Sequence, residues 1–273
     1  MITNSKRADF LSTAIKAAKV AGNIILSNLG KISKNDIGLK QASDFVTRID
    51  KESEYAIIRI IKEKFPDHYF LAEESSRDTD TGTYLWIIDP LDGTTNYIHG
   101  FPVFAVSVAL QHKDEIITGV IFDPLKNELF TAEKGKGAFL NGQPIKVSAV
   151  TALQNSLITT GFPFRKKNLI DEYLKLFKNI LHKVSDLRRA GAAALDLAYV
   201  ACGRCEAFFE LGLSPWDVAA GSLIIKEAGG IVTDFSGGTE YLSTGNIVAG
   251  NPVIHKEILK EVKGVFYPLS LHH

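Results

Sequence analysis

Apolar residues recur at helical spacing in two stretches near the start of the chain. Ala8, Leu11, Ile15, Ala18, Ile25 and Leu29 form the first, and Ile49, Ala56, Ile57, Ile60, Ile61 and Phe65 form the second, which Pro66 stops. The spacing predicts two long helices. Shorter runs rich in β-branched and aromatic residues follow and predict strands over Tyr69–Leu71, Tyr84–Ile88, Phe104–Leu110, Ile116–Phe122 and Glu128–Ala132, with Gly135 and Gly137 marking a turn. Hairpins joining the last three imply an antiparallel sheet.

Beyond about Val150 the pattern changes. Strands and helices alternate: Ser156–Thr160, Leu169–Leu181, Gly191–Cys202, Ala207–Glu210, Ala219–Ala228, Ile231–Thr233 and Asn246–Ala249. The shift divides the chain into an α+β part over residues 1–150 and an α/β part over residues 151–273. Neither low-complexity segments nor an internal repeat interrupts it.

The strand beginning at Tyr84 ends abruptly in chemistry. Trp86-Ile-Ile-Asp-Pro-Leu-Asp-Gly-Thr-Thr-Asn96 passes from an apolar run to two carboxylates, a glycine and two hydroxyls. Pro90 stands at the second position of Asp89-Pro90-Leu91-Asp92, where a type I turn prefers it, and such a turn lets both carboxylates reach one small volume together with the Leu91 carbonyl. Oxygen donors of this kind suit Mg²⁺, Mn²⁺ or Ca²⁺ rather than Zn²⁺ or Cu²⁺. Gly93 allows close backbone approach, and Thr94 and Thr95 at a helix start expose N–H groups that bind phosphate. A helix-capping turn would account for Asp-Pro or Asp-Gly alone, but gives no reason to end a buried strand with two unneutralised acids.

Composition narrows the alternatives. With 31 basic and 31 acidic residues the net charge is zero, which argues against nucleic acid or an anionic membrane as the primary partner. The segment from Asp9 to Leu29 is broken by Lys16, Lys19 and Asn23, so it reads neither as a signal peptide nor as a membrane span, and a cytoplasmic protein is expected. Cys202-Gly-Arg-Cys205 has the spacing of a redox pair but closes a predicted helix instead of opening one, and lacks the second pair of ligands of a structural zinc site. Buried cysteines acting as small hydrophobes are expected.

Three elements together resemble the inositol monophosphatase family: the Trp86–Asn96 motif, Trp216-Asp217-Val218-Ala219-Ala220-Gly221 followed by Glu227-Ala228-Gly229-Gly230, and the acidic pair in Ala72-Glu73-Glu74-Ser75. The resemblance runs from about Lys40 to Gly230. It implies a layered αβαβα sandwich of the inositol monophosphatase and fructose-1,6-bisphosphatase type, with the active site between the halves, most metal ligands in the first and Asp217 and substrate contacts in the second.

By the same resemblance one Mg²⁺ is held by Glu73, Asp89 and the Leu91 carbonyl, a second by Asp89, Asp92 and Asp217, and a third more weakly through Glu73. Four converging carboxylates would be protonated unless cations neutralised them, which two or three Mg²⁺ ions do. Thr94 orients the attacking water, paired with Asp50 of Thr47-Arg48-Ile49-Asp50, although Asp50 alone reads as an ordinary exposed helix residue. Lys40 matches a lysine near the metals, in a loop one residue shorter than in some family members. Asp92, Gly93, Thr94, Thr95, Ala193, Glu210 and Asp217 are the remaining substrate contacts, Glu210 accepting from ring hydroxyls unless it is a strand-end acid in a surface ion pair. Arg188-Arg189 and Arg165-Lys166-Lys167 read either as a second phosphate site or as solvated charge.

The expectation is a Mg²⁺-dependent, lithium-sensitive phosphomonoesterase that hydrolyses inositol monophosphate with a metal-activated water, as a homodimer. The alternatives are the same chemistry on fructose 1,6-bisphosphate or 3′-phosphoadenosine 5′-phosphate, and a non-catalytic, metal-stabilised interaction protein. Thr94 and Asp50 argue against the last, since a scaffold needs no oriented water.

Overall fold

Small residues along one face let the first helix lie close to its neighbours. Ala14, Ala17, Ala18 and Ala21, flanked by Phe10 and Ile25, are fully buried on α1 (Asn4–Asn28). The computed structural model describes residues 4–31, 37–41, 44–75 and 82–267. A hairpin of β1 (Ile37–Gln41) and β2 (Asp44–Thr47), which the apolar pattern did not predict, joins α1 to α2 (Arg48–Lys64). β3 (Tyr69–Ala72), β4 (Tyr84–Asp92) and a short α3 (Thr94–Ile98) follow, then β5 (Ala105–His112), β6 (Glu115–Asp123), β7 (Glu128–Glu133), β8 (Ala138–Leu140) and β9 (Gln143–Ile145). The later part comprises β10 (Leu157–Thr160), α4 (Ile170–Leu181), β11 (Asp186–Arg188), α5 (Ala193–Ala201), β12 (Ala207–Glu210), α6 (Pro215–Glu227), β13 (Ile231–Thr233), α7 (Tyr241–Thr244), β14 (Ile247–Gly250) and α8 (Pro252–Phe266).

Strands β3 to β9 form a seven-stranded sheet in chain order, parallel between β3 and β4 and antiparallel thereafter. A five-stranded mixed sheet has the order β11-β10-β12-β14-β13. Helices α1 and α2 cover one face of the larger sheet, α5 and α6 lie between the two sheets, and α4 and α8 cover the outer face of the smaller one. This is the expected αβαβα sandwich. The apolar cluster around α5 and α6 draws on Leu85 and Ile87 from one sheet and Phe208 and Ala249 from the other, so one core spans the middle of the molecule.

Period-two alternation decides which strand residues meet that middle layer. On β4, Trp86 and Ile88 pack under α1 and α2, whereas Leu85 and Ile87 face α5 and α6; Asp89 continues the second row. On β12, Phe208 faces inward and Ala207 and Phe209 outward, so Glu210 points inward.

Several elements differ from the sequence-based expectation. Asp89-Pro90-Leu91-Asp92 is not a free type I turn: β4 continues to Asp92, pairing Asp89 with Ser107 and Asp92 with Ala105, with a bulge between. Pro90 has no N–H to give the ladder, and a bulge is where a strand accommodates that. Helix α6 starts at Pro215 rather than Ala219 because proline suits the first helical position and Asp217 caps the helix, accepting the Ser214 N–H at 2.7 Å. Helix α8 was not predicted, although Asn251 caps it by accepting from the N–H groups of Val253 (3.1 Å) and Ile254 (2.9 Å) and Ile254, Ile258 and Val262 form its buried stripe.

Candidate active site

The bulged end of β4 delivers Asp89 and Asp92 to a cavity of about 300 Å³, lined also by Glu73, Leu91, Thr94, Glu210 and Asp217. Glu73 lies just beyond β3, where its N–H donates to the Ile88 carbonyl at 3.2 Å and prolongs the β3–β4 ladder. Asp217 arrives from the N-terminal turn of α6. Four carboxylates from three separate elements therefore share one site.

Their electrostatics follow from that crowding. Burial first, and then the charges of Glu73, Asp92 and Asp217, hold the Asp89 carboxyl well above the usual carboxylate range. Asp92 is raised by burial and by Asp217, against a counteracting N–H from Ala194 at 2.7 Å. Arg165 supplies positive charge at the rim, with Nη1 3.6 Å from Asp217 Oδ2 and Nη2 4.0 Å from Glu73 Oε1. Among the described residues no three His, Cys, Asp or Glu side chains are gathered tightly enough to hold an ion as they stand. Backbone N–H groups engage one oxygen each of Asp89, Asp92 and Asp217, and the arginine reaches the outer pair. The donor chemistry still fits a hard divalent cation, because every donor is oxygen and the mutual repulsion of these buried acids is what such a cation relieves.

Thr94 stands at the start of α3, beyond Gly93, whose φ of 91° is left-handed. The Thr94 hydroxyl is 2.9 Å from Asp50 Oδ1 and 3.0 Å from the Leu91 carbonyl, and its single proton serves one acceptor at a time. Asp50 is not the exposed helix residue its local sequence implies: it is fully buried at the third position of α2, where its Oδ2 accepts the Thr47 N–H at 2.9 Å and the Thr47 hydroxyl. Burial raises its carboxyl, and hydrogen bonds from Thr47 and Thr94 oppose the rise.

Glu210 is buried at the end of β12 rather than placed in a surface ion pair. Burial, followed by the charge of Asp217, pushes its carboxyl up to about 8, against the opposing charges of Arg189 and Arg165. Gly161 makes its place: a Cβ there would lie 2.0 Å from the Glu210 carboxyl carbon. Ala193 begins α5 on the same cavity, whereas Thr95 is exposed at its mouth. Lys40 lies on β1, and its side chain is outside the described residues.

The sequence profile of the inositol monophosphatase family matches residues 6–266. This chain belongs to that family. Over 254 residues it is 46% identical to a protein named Nus factor SuhB from Salmonella typhimurium strain LT2, covering 93% of this chain and 95% of the relative. The crystal structure of the extragenic suppressor protein suhB from Bartonella henselae superposes with a TM-score of 0.89 at 40% identity, covering 93% of this chain and 98% of that one. An inositol monophosphatase from Anabaena gives a TM-score of 0.85 at 41% identity, over 96% and 98% of the two chains.

In this family member the basic residues divide. Arg188 pairs with Asp186 at the surface, whereas Arg189 lines the cavity with its guanidinium 5.3 Å from the Phe162 ring centroid. Arg165 joins it there, while Lys166 packs along Gly212. Both cysteines are free thiols, raised by burial, Cys205 to about 12, which suits packing rather than redox chemistry.

Four contributors escaped the sequence reading. Asp196 of α5 lines the cavity, is 1% exposed, and has an Oδ1 without a hydrogen-bond partner among the described residues. Its signal was an acid within the apolar run Ala193–Ala201. Asn96 of α3 donates to the carbonyls of Val103 (2.8 Å) and Ala190 (2.9 Å), tying the motif to the segment before α5. Gly161 and Glu54 carried no local signal, because their neighbours come from distant elements.

Proposed function

We propose that this protein is a Mg²⁺-dependent phosphomonoesterase that hydrolyses inositol monophosphate to inositol and phosphate. The observation that carries the reading is the Thr94–Asp50 hydrogen bond beside four carboxylates in one cavity. Capping and packing require no such pair. Glu73, Asp89, the Leu91 carbonyl, Asp92 and Asp217 would hold two or three Mg²⁺ ions. Bound there, Mg²⁺ lowers the pKa of water and offsets charge on the phosphate oxygens.

The protein's own groups do the remainder. With its proton given to Asp50 Oδ1, the Thr94 hydroxyl presents lone pairs that accept a hydrogen bond from the attacking water and fix its direction. The backbone N–H groups of Gly93, Thr94 and Thr95 face the phosphate, and Lys40 adds positive charge. Glu210 and Ala193 contact the ring, where a carboxylate penalises analogues lacking hydroxyls because its own desolvation goes uncompensated. Among the described residues only Arg165 and Arg189 of the basic side chains line the cavity, and Arg165 already meets Glu73 and Asp217, which favours a monophosphate over fructose 1,6-bisphosphate or 3′-phosphoadenosine 5′-phosphate. Lithium sensitivity and a homodimer are proposed from the family resemblance, and a cytoplasmic setting from the charged residues that break the N-terminal apolar segment; among the described residues no helix is long and apolar enough to cross a membrane.

The test is phosphate release from a substrate panel with Mg²⁺ and with chelator, for wild type and Asp89→Asn. The variant should lose at least about 100-fold in kcat, since the shared ligand is removed. Turnover within about threefold of wild type would overturn the metal assignment.

A second role is favoured by the relative named Nus factor, at 46% identity over nearly the whole chain. We infer that the protein also acts in transcription through surfaces apart from the cavity. Retention of RNA polymerase on immobilised protein, equal for wild type and Asp89→Asn, is the expected result, and no retention by either removes this reading.

A further inference from the structure

Glu54 is a buried acid that the chemistry above does not use. It stands one helical turn beyond Asp50 on α2 and is 1% exposed, and no lysine or arginine pairs with it among the described residues. Its oxygens go to two donors instead: Oε2 accepts the backbone N–H of Glu74 at 2.8 Å, and Oε1 accepts the hydroxyl of Ser75. Both donors belong to the segment that leaves β3 immediately after Glu73. On the near side, the Glu73 N–H is already tied to the Ile88 carbonyl at 3.2 Å. The short segment bearing the Glu73 carboxylate is thus clamped at both ends, by the ladder before it and by α2 after it.

A buried carboxylate without a cation is tolerated only where donors satisfy it, and hydrogen bonds to a charged acceptor are among the stronger ones. Filling the space under this loop would not require that cost. The same helix also fixes Thr94 through Asp50, and four residues of α-helix span about 6 Å, so one rigid rod sets both the acceptor of the Thr94 proton and the loop of Glu73.

We propose that Glu54 is a positioning residue for the metal centre, holding the Glu73 carboxylate at the cavity through Glu74 and Ser75. The inference rests on the reading of Glu73 as a cation ligand. Removing such a support shifts cation affinity more than it shifts the chemistry of a fully loaded site.

The experiment compares wild type, Glu54→Ala, Glu54→Gln and Ser75→Ala by two readouts, the Mg²⁺ concentration giving half the maximal rise in Tm and that giving half-maximal phosphate release. Glu54→Ala should raise both about tenfold or more, as loss of a ligand's support does. Glu54→Gln keeps a carbonyl oxygen for the Glu74 N–H and turns its amide toward Ser75, so it should return to within about threefold of wild type. Ser75→Ala, which loses one of the two bonds, should fall between them. A lower metal-free Tm in Glu54→Ala with both half-points within about twofold of wild type would show a structural role only and overturn the proposal. If Glu54→Ala does not fold, unchanged half-points in Ser75→Ala overturn it equally. If wild type releases no phosphate from any substrate the catalytic reading falls, while the thermal titration still decides the role of Glu54.

Discussion

Gly161 and Glu210 show how the place of a buried carboxyl depends on a residue with no side chain. The Glu210 carboxyl occupies the volume a Cβ on residue 161 would need, so Gly161→Ala must displace it. Glu210→Gln is the gentler change, keeping size while replacing one carboxyl oxygen, able to accept or titrate, with an amide nitrogen that only donates. If Glu210 reads ring hydroxyls, kcat/KM on inositol phosphate should fall several-fold to about 100-fold while an aryl phosphate is hydrolysed with little loss. Equal loss on both substrates would assign Glu210 to the metal site or the fold. Asp196 offers a contrasting case. Burial and the neighbouring Glu210 hold its carboxyl well above the ordinary range, so a neutral, nearly isosteric amide should replace it at little cost. Asp196→Asn is expected to fold with a midpoint of thermal unfolding at neutral pH no lower than wild type, and a marked fall would show that the charge itself is required.

At the scale of elements, the join between β4 and α3 is tightly constrained. Gly93 adopts a φ of 91°, and a Cβ there would lie 2.8 Å from the Val103 carbonyl. Gly93→Ala should therefore cost about 1–2 kcal/mol from backbone conformation alone, measured as a lower midpoint in urea, and it should reduce turnover by moving Thr94 away from Asp50. A variant with wild-type stability would show that the left-handed turn can relax. Helices α5 and α6 are constrained differently. They are apolar nearly all round because a sheet lies on each side, so they have no polar face to give periodicity.

For the whole molecule, the acids at the cavity make stability depend on pH in a defined sense. Glu210 is raised from 4.5 to about 8, so its contribution to folding is full below the unfolded value and is lost as pH climbs through that interval. The raised Asp89, Asp92 and Asp196 act in the same direction. His255 acts oppositely: burial lowers it from 6.5 to about 4, so its contribution is present above 6.5 and lost as pH falls toward 4. Metal-free protein should accordingly lose Tm between about pH 5 and 8, and the rise in Tm on adding Mg²⁺ should be larger at pH 8 than at pH 6. An increment independent of pH would mean that the cavity acids do not bind the cation.

Much of the site was legible in the sequence because it lies in contiguous motifs. Trp86–Asn96 and Trp216–Gly221 each combine a local backbone requirement with donor residues, and such requirements act over a few positions. The amphipathic α1 and α2 were legible for a related reason, since each has one buried face and the other in water. What the sequence by itself determined is thus the motifs whose residues line the cavity and the segments that form surface helices or buried strands. Only the tertiary structure decided how they meet. It placed Arg165 against Glu73 and Asp217, Glu54 beneath the Glu73 loop, Gly161 against Glu210, and Asp196 with no hydrogen-bonding partner for Oδ1 among the described residues. These relations join residues far apart in the chain, so they exist only once two sheets close around α5 and α6, and burial, not local propensity, fixes the charge and position of each group.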